Sequence, residues 1–380
     1  MIAEIATLYL KITDAIQQKT PFVSYRKPNS NTVKFLHQKD AEVHFLNNFS
    51  QSGFVFAPFD DLKKTICYDL KNCNIEHYIF SESPIKRNTF TPKNTPSQKR
   101  EHISLVKNGI DFIKQKKISK IVLSRKETLN NTTFDCLNTF KNLLQSYTSA
   151  FVYLWYHPKI GLWLGATPET LIKTNNNNFK TMSLAGTQIY DHTLDVIWEE
   201  KEKQEHQFVT DYITRQLEKL KINYQITKPF TVKAGNMVHL CANISGRLDN
   251  LNSLESVIKA LHPTPAVCGL PKDIAKQFII KNESYDREYY TGFLGELNFK
   301  IDNRQQQKNK RNIENHAYNF TKKQSAIFVN LRCMKINKDS ISLYIGGGIT
   351  KDSNPEKEYQ ETIVKATTIK KILINQDLQK

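Results

Sequence analysis

Two pairs of glutamates stand at helical spacing. Glu202 and Glu205 lie three residues apart with His206 alongside, and Glu358 and Glu361 repeat the arrangement far along the chain. Residues three apart share a helix face. If the two faces meet, four carboxylates can surround a hard divalent cation that keeps waters and takes an oxygen from its substrate, as magnesium does. The same spacing also describes solvated faces on which glutamates pair with neighbouring lysines. Lys120 opens the apolar run Ile121 to Leu123, and Glu169 follows Gly165-Ala-Thr-Pro168. Either can be a solvated strand end. Buried beside a metal, however, a lysine loses proton affinity and can serve as a base, while a glutamate in an apolar pocket stays protonated and can serve as an acid. Arg332 directly follows the largely apolar run Ile327 to Leu331, and if buried it must find an anion, in a ligand or in a structural salt bridge. The glycines of Tyr344-Ile-Gly-Gly-Gly-Ile349 either let backbone N–H groups approach an anion or form a tight turn. They are not a dinucleotide fingerprint, because the GxGxxG spacing is missing.

The elements that must position these residues alternate between strands and helices. Strands are expected at Lys120 to Arg125, Phe151 to Tyr156, Gly161 to Gly165, Glu169 to Thr174, Ala326 to Ile336 and Ser340 to Ile345. Several follow one another with only turns between them, which argues for antiparallel hairpins and against a doubly wound parallel sheet. Helices are expected at His102 to Lys114, Glu199 to Leu220, Leu254 to Ala260, Pro271 to Ile280 and Pro355 to Ile374, the last with Asn354 and Pro355 as N-cap and first-turn proline. Ser83 to His102 and the Lys-, Asn- and Gln-rich Asp302 to Gln324 read as weakly structured surface. No internal repeat is visible.

Composition bounds the function. An apolar content of 39% with 11% aromatics suffices for a large core, and 24% charged residues is an ordinary globular share. Ile2, Ile5, Tyr9, Ile12 and Ile16 recur at helical spacing, interrupted by Glu4, Lys11 and Asp14, so the first residues read as an amphipathic helix and not as a signal peptide. No run of apolar residues is long enough for a membrane span; neither a membrane nor secretion is expected, and the cytoplasm is. The six cysteines show no CxxC spacing, so reduced thiols are expected. The net charge of +17 comes from lysines scattered along the whole chain. No nucleic-acid-reading module accompanies it, and nucleic-acid binding is not expected.

Taken in order, these signals form one series. From about Lys120 to Lys365 the chain resembles the chorismate-utilising enzymes of menaquinone, siderophore and tryptophan biosynthesis. The matching stretches are Lys120-Ile-Val-Leu-Ser-Arg125, Gly165-Ala-Thr-Pro-Glu169, Leu184-Ala-Gly-Thr187, Glu202 through Glu205-His206, Val238-His-Leu240, Leu261-His-Pro-Thr-Pro-Ala266, Tyr290-Thr-Gly292, Leu331-Arg332, Gly346-Gly-Gly348 and Glu358 through Glu361-Thr362. The resemblance implies an α+β fold: one large domain with packed antiparallel sheets in the middle and helices outside. Residues 101–380 would form its catalytic core and residues 1–100 a weakly matched N-terminal part of the same domain. It also implies magnesium (Mg2+) facing Glu205 and Glu361, with Glu202 and Glu358 supporting them directly or through water. Tyr290, Arg332, Lys365 and the N–H groups near Gly346 and Gly348 would hold the substrate's carboxylates. His239 would line the site near the ring, and Ala185, Gly186 and Thr187 would complete the substrate wall.

The branch of the family turns on the nucleophile. Relatives that add ammonia typically have glutamine where this chain has Lys120, and aminodeoxychorismate synthases typically have lysine where it has Ala185. The resemblance therefore points to water addition: an isochorismate synthase, in the isomerase class, with Lys120 as base and Glu169 as acid. It would act on chorismate as a monomer, without a glutamine amidotransferase partner, in menaquinone or catechol siderophore biosynthesis. A salicylate synthase, which goes on to eliminate pyruvate, is the alternative. A basic binding protein that kept the fold without the chemistry is the alternative of another class. The basic insertion around Arg304 and the N-terminal hundred residues are given no role.

Overall fold

Alternation along each strand decides what it packs against. In Phe151–His157 every residue but Tyr156 is buried. Phe151, Tyr153 and Trp155 join one hydrophobic cluster while Val152 and Leu154 join another. Successive side chains leave opposite faces of a strand, so this strand is covered on both sides, by a second sheet and by helices. The computed structural model describes residues 3–81, 96–130, 134–235, 237–249, 253–301 and 322–373, and its elements form an α+β domain around that two-sheet sandwich.

The first sheet runs Ala3–Glu4, Cys73–Ile79, Thr32–Gln38, Phe22–Arg26, Phe151–His157, Gly161–Thr167, Cys333–Ile336, Ser340–Ile349, Lys120–Asn130 and Gly269–Leu270. Its pairs are antiparallel except the first, Ala3–Glu4 with Cys73–Ile79. The second runs Tyr224–Ile226, Met237–Arg247, Asn178–Ile189, Thr170–Asn175, Lys322–Val329, Phe293–Ile301, Gly53–Ala57 and Ile66–Asp69, with Phe230–Ala234 also pairing Met237–Arg247. Residues before Pro96 thus supply strands to both sheets. Tyr25, Trp155 and Trp163 of the first sheet meet Phe54, Phe56 and Phe328 of the second in an aromatic core.

Helices close the outer faces. Ile5–Gln17, Cys136–Ser146 and Pro355–Leu373 cover the first sheet, and Glu200–Lys219 with Leu254–Leu261 covers the second. Glu200–Lys219 starts with a capping box, in which Glu199 and Glu202 each bond the other's backbone N–H, and it buries Val209, Ile213 and Leu217 at steps of four. Each fully buried side chain of that size contributes about 1.5–3 kcal/mol, which holds the face bearing Glu205 against the sheet. Pro96–Lys116 and Lys272–Asn282 pack on Ile121 and Leu123. By alternation this turns Lys120 and Val122 to the other side.

Several expected boundaries move. The helix expected from His102 begins at Pro96, inside the stretch read as weakly structured, because proline suits a helix's first turn. The remainder of that stretch through residue 95 lies outside the described residues. So does the basic insertion from residue 302 to 321, Arg304 included, whereas Lys322 to Gln324 already belong to a strand. The single strand expected over Ala326 to Ile336 is two, Lys322–Val329 in one sheet and Cys333–Ile336 in the other. The chain crosses between sheets at Asn330 to Arg332, where Arg332 takes a φ of 49°. The three glycines form no turn. They end the strand Ser340–Ile349, with Gly346, Gly347 and Gly348 opposite Ser124, Leu123 and Val122. Among the described residues no helix is long and apolar enough to cross a membrane.

Candidate active site

Lys120 and Glu169 come together in one pocket with Ala185, Gly186, Thr187, Glu205, His239, Tyr290, Arg332, Gly346, Gly348, Glu361 and Lys365. Glu202 and Glu358 adjoin it without lining it. The pocket is a cleft whose charged and polar groups converge among apolar side chains, the character of a small-molecule site.

Glu169 sits in the turn between Gly161–Thr167 and Thr170–Asn175, its carbonyl accepting from Val329 N at 3.0 Å. It is 5% exposed. Burial lifts its carboxyl from the ordinary 4.5 to about 8, against the opposing pull of the Lys120 charge. The group is therefore mainly protonated at neutral pH, the state a general acid needs. Lys120, 1% exposed, donates from Nζ to Glu205 Oε1 at 2.5 Å.

The carboxylates gather around the glycine strand. A Cβ placed on Gly348 would lie 2.5 Å from Glu205 Oε1 and 2.6 Å from Lys120 Cε; one on Gly347 would lie 3.7 Å from Glu358 Oε2 and 3.9 Å from Glu361 Oε1. Glycine is what lets these groups close over the strand. Each of the three has an ammonium partner: Lys120 for Glu205 at 2.5 Å, Lys201 for Glu358 at 3.1 Å and Lys365 for Glu361 at 2.6 Å. Burial opposes ionisation of Glu205, but Lys120, Lys365 and Lys201 outweigh it and hold its carboxyl below the ordinary range. Burial dominates at Glu358, which is pushed up. Its Oε2 is buried without a hydrogen-bond partner. An orphaned carboxylate oxygen beside two further carboxylates fits a hard cation with oxygen ligands, although among the described residues no ready-made group of three acidic, histidine or cysteine ligands stands assembled. Glu202 is differently placed: its Oε2 accepts the Glu199 N–H at 2.9 Å in the helix cap. Gly186, at a φ of +72°, packs against it, 3.1 Å from a Cβ there to Glu202 Cβ.

The opposite wall is cationic. Arg332 Nη1 donates to Ala234 O at 3.0 Å, and Nη2 to His239 Nε2 at 2.9 Å. His239 Nδ1 faces Gly186 O at 3.0 Å, so it carries the ring proton. Burial, with the Arg332 charge beside it, pulls His239 down to about 3, which keeps the ring neutral. No carboxylate pairs with Arg332 among the described residues, leaving its charge available to an anion in the pocket. Buried Tyr290 stacks on Tyr344, with ring centroids 5.4 Å apart, and its hydroxyl reaches Gly346, 2.8 Å from a Cβ there. Lys365 Nζ bonds Gly346 O at 3.0 Å. The strand Ser340–Ile349 pairs with Cys333–Ile336 only as far as Leu343. Beyond it one backbone edge is open, and unpaired N–H groups on such an edge can bind an anion.

Sequence reasoning gave no role to Lys201 or Tyr344. The signal for Lys201 was its place one turn before Glu205; Tyr344 had none beyond adjacency to the glycines.

Residues 54–303 and 319–374 match the family described as chorismate binding enzyme. The chain is 29% identical over 285 residues to isochorismate synthase DhbC of Bacillus subtilis, covering 70% of this chain and 65% of that one. It is 29% identical over 222 residues to isochorismate synthase MenF of Escherichia coli, covering 56% and 45%. The matched stretches thus span less than two thirds of these relatives' length. The solved structure of MenF, the menaquinone-specific isochorismate synthase of Escherichia coli, shares the fold with a TM-score of 0.73 at 19% identity, over 94% of this chain and 89% of that one.

Proposed function

The chain belongs to the chorismate binding enzyme family, and from that premise we propose that it is an isochorismate synthase, an isomerase that adds water at ring carbon 2 of chorismate and expels the 4-hydroxyl. One observation carries the reading: a buried lysine and a buried glutamate held protonated line the same pocket. Water addition needs that combination, because one proton must leave the nucleophile and another must reach the departing oxygen.

In this reading Lys120, having first released the proton that it carries in its ion pair with Glu205, takes a proton from the attacking water as its oxygen bonds carbon 2. The ring double bonds shift, the bond from carbon 4 to its oxygen breaks, and Glu169 protonates that oxygen, which leaves as water. One water enters and one departs, so the product is an isomer. Acid and base roles of this kind contribute about a hundredfold to ten-thousandfold each. Arg332, Tyr290 and the open strand edge at Gly346 hold the substrate's carboxylates, while Lys365 places the Gly346 carbonyl. His239, neutral and bonded at both ring nitrogens, orients Arg332 and carries no proton in the reaction. Glu205 and Glu361, with Glu358 beside them and Glu202 behind, would hold Mg2+, which would neutralise the ring carboxylate and offset charge developing on it. Lys120 and Ala185 stand where amination branches carry other residues, so no ammonia and no glutamine-hydrolysing partner is required.

The test is product analysis with purified protein, chorismate and magnesium. Isochorismate should accumulate toward a mixture with chorismate. Salicylate with pyruvate as the main early product would assign the elimination branch, and anthranilate on adding ammonium would show that Lys120 does not select water.

A further inference from the structure

Arg287 lies outside the pocket and is 3% exposed, yet its guanidinium reaches three segments of the pocket wall. Nη2 donates to Val122 O at 2.7 Å, and Nη1 to Val267 O at 3.0 Å and to Thr291 Oγ1 at 3.2 Å. Nε and Nη2 also fork onto Glu283 Oε2 and Oε1 at 2.8 and 2.6 Å. Val122, Val267 and Thr291 all line the pocket, and they come from three separate parts of the chain. Glu283 adds a fourth tie, accepting from the Ser124 N–H and hydroxyl at 2.8 Å each. The Arg287 plane lies 4.6 Å from the Phe59 ring and 5.7 Å from the Tyr290 ring.

These contacts are more than burial of a charge requires. The fork onto Glu283 alone would neutralise Arg287. The remaining bonds join the strand that carries Lys120, two residues before Val122, to the turn that carries Tyr290. Thr291 sits in that turn at a φ of 60°, and its hydroxyl, while accepting from Arg287, donates to Tyr290 O at 2.6 Å. The proton-transfer wall and the anion-binding wall are thus fixed to one rigid plane.

We infer that Arg287, locked by Glu283, is a positioning residue that sets the separation between Lys120 and the carboxylate-binding turn at Tyr290. This rests on the proposed chorismate chemistry. Lysine at this position would keep the charge opposite Glu283 but lose the planar fork and two of the five donors, so the walls would no longer be held at a fixed distance.

The experiment measures kcat and KM for chorismate with magnesium in wild type, Arg287→Lys, Thr291→Val, Thr291→Ser and Leu8→Ala, with circular dichroism and melting curves on each. Leu8 is buried in the first helix against the far face of the first sheet, so its truncation reports on stability alone. Arg287→Lys should remain folded and lose about a hundredfold in kcat/KM, the scale expected for reacting groups displaced by about 1 Å. Thr291→Val should move the same way, with Thr291→Ser restoring most of the loss, and Leu8→Ala should keep both constants. Wild-type constants in folded Arg287→Lys, or an equal loss in Leu8→Ala, overturn the inference. If Arg287→Lys does not fold, Thr291→Val against Thr291→Ser decides it: equal constants in the two overturn it. A wild type that leaves chorismate untouched removes the functional reading itself, an outcome distinct from all of these.

Discussion

Replacing Glu169 with glutamine should shift the stability balance in the variant's favour as the pH rises. The carboxyl titrates at about 8 in the fold against an ordinary 4.5. A group that binds its proton more tightly when folded contributes its full stabilisation below the unfolded value and loses it as pH climbs through the folded one. The window is therefore pH 4.5 to 8, and within it wild-type stability declines by about 1.4 kcal/mol per pH unit from this group. The glutamine side chain would have nearly the same shape as the glutamate and no titration. The stability difference between variant and wild type should then change by roughly 1 kcal/mol from the acid limit by pH 5, by about 3 by pH 7, and level off near 5 above pH 8. Because Glu169 is 5% exposed, solvent screening removes little of this. Urea denaturation of both proteins at pH 5, 6, 7 and 8 reads the difference directly. A difference flat across that range would show that Glu169 ionises normally, and the argument for a protonated acid in the pocket would fail with it.

Three further outcomes follow from the same geometry. Lys120→Ala should lose at least a hundredfold in kcat while chorismate still binds; wild-type turnover would mean that another group takes the proton. Glu361→Gln or Glu205→Gln should raise the magnesium concentration needed for half-maximal rate severalfold or abolish activity, and unchanged magnesium titrations for both would refute the carboxylate site. Gly348→Ala should fold but lose nearly all activity, because its methyl would lie 2.5 Å from Glu205 Oε1 and 2.6 Å from Lys120 Cε; full activity with wild-type magnesium affinity would show that these groups need not close over the strand.

What could be read in the sequence was local. Lys120 at the mouth of an apolar run, the two glutamate pairs and the hairpin succession from Phe151 to Thr174 each carried their own period, and the elements lie close to where those periods put them. The switch of sheets at Asn330 to Arg332 had no such mark, since no glycine or proline interrupts Ala326 to Ile336. It is fixed by tertiary contacts: Asn330 accepts from the Tyr153 hydroxyl at 2.7 Å and donates to Tyr289 O at 2.9 Å. The glycines could not be told from a turn, because their partner strand lies more than two hundred residues earlier. Likewise the spacing of Glu358 and Glu361 gives a shared face, but not the facing helix or the lysines that pair with each carboxylate.

The central claim is that solvent water supplies the new hydroxyl. It is tested most directly by running the reaction with magnesium in oxygen-18 water and measuring the mass of the isochorismate formed. The account predicts product carrying one oxygen-18 at carbon 2 from the first turnover, and loss of that product in Lys120→Ala. Isochorismate formed at the wild-type rate without label would mean that the hydroxyl migrates within the substrate, and neither Lys120 nor Glu169 could then have the role assigned to it.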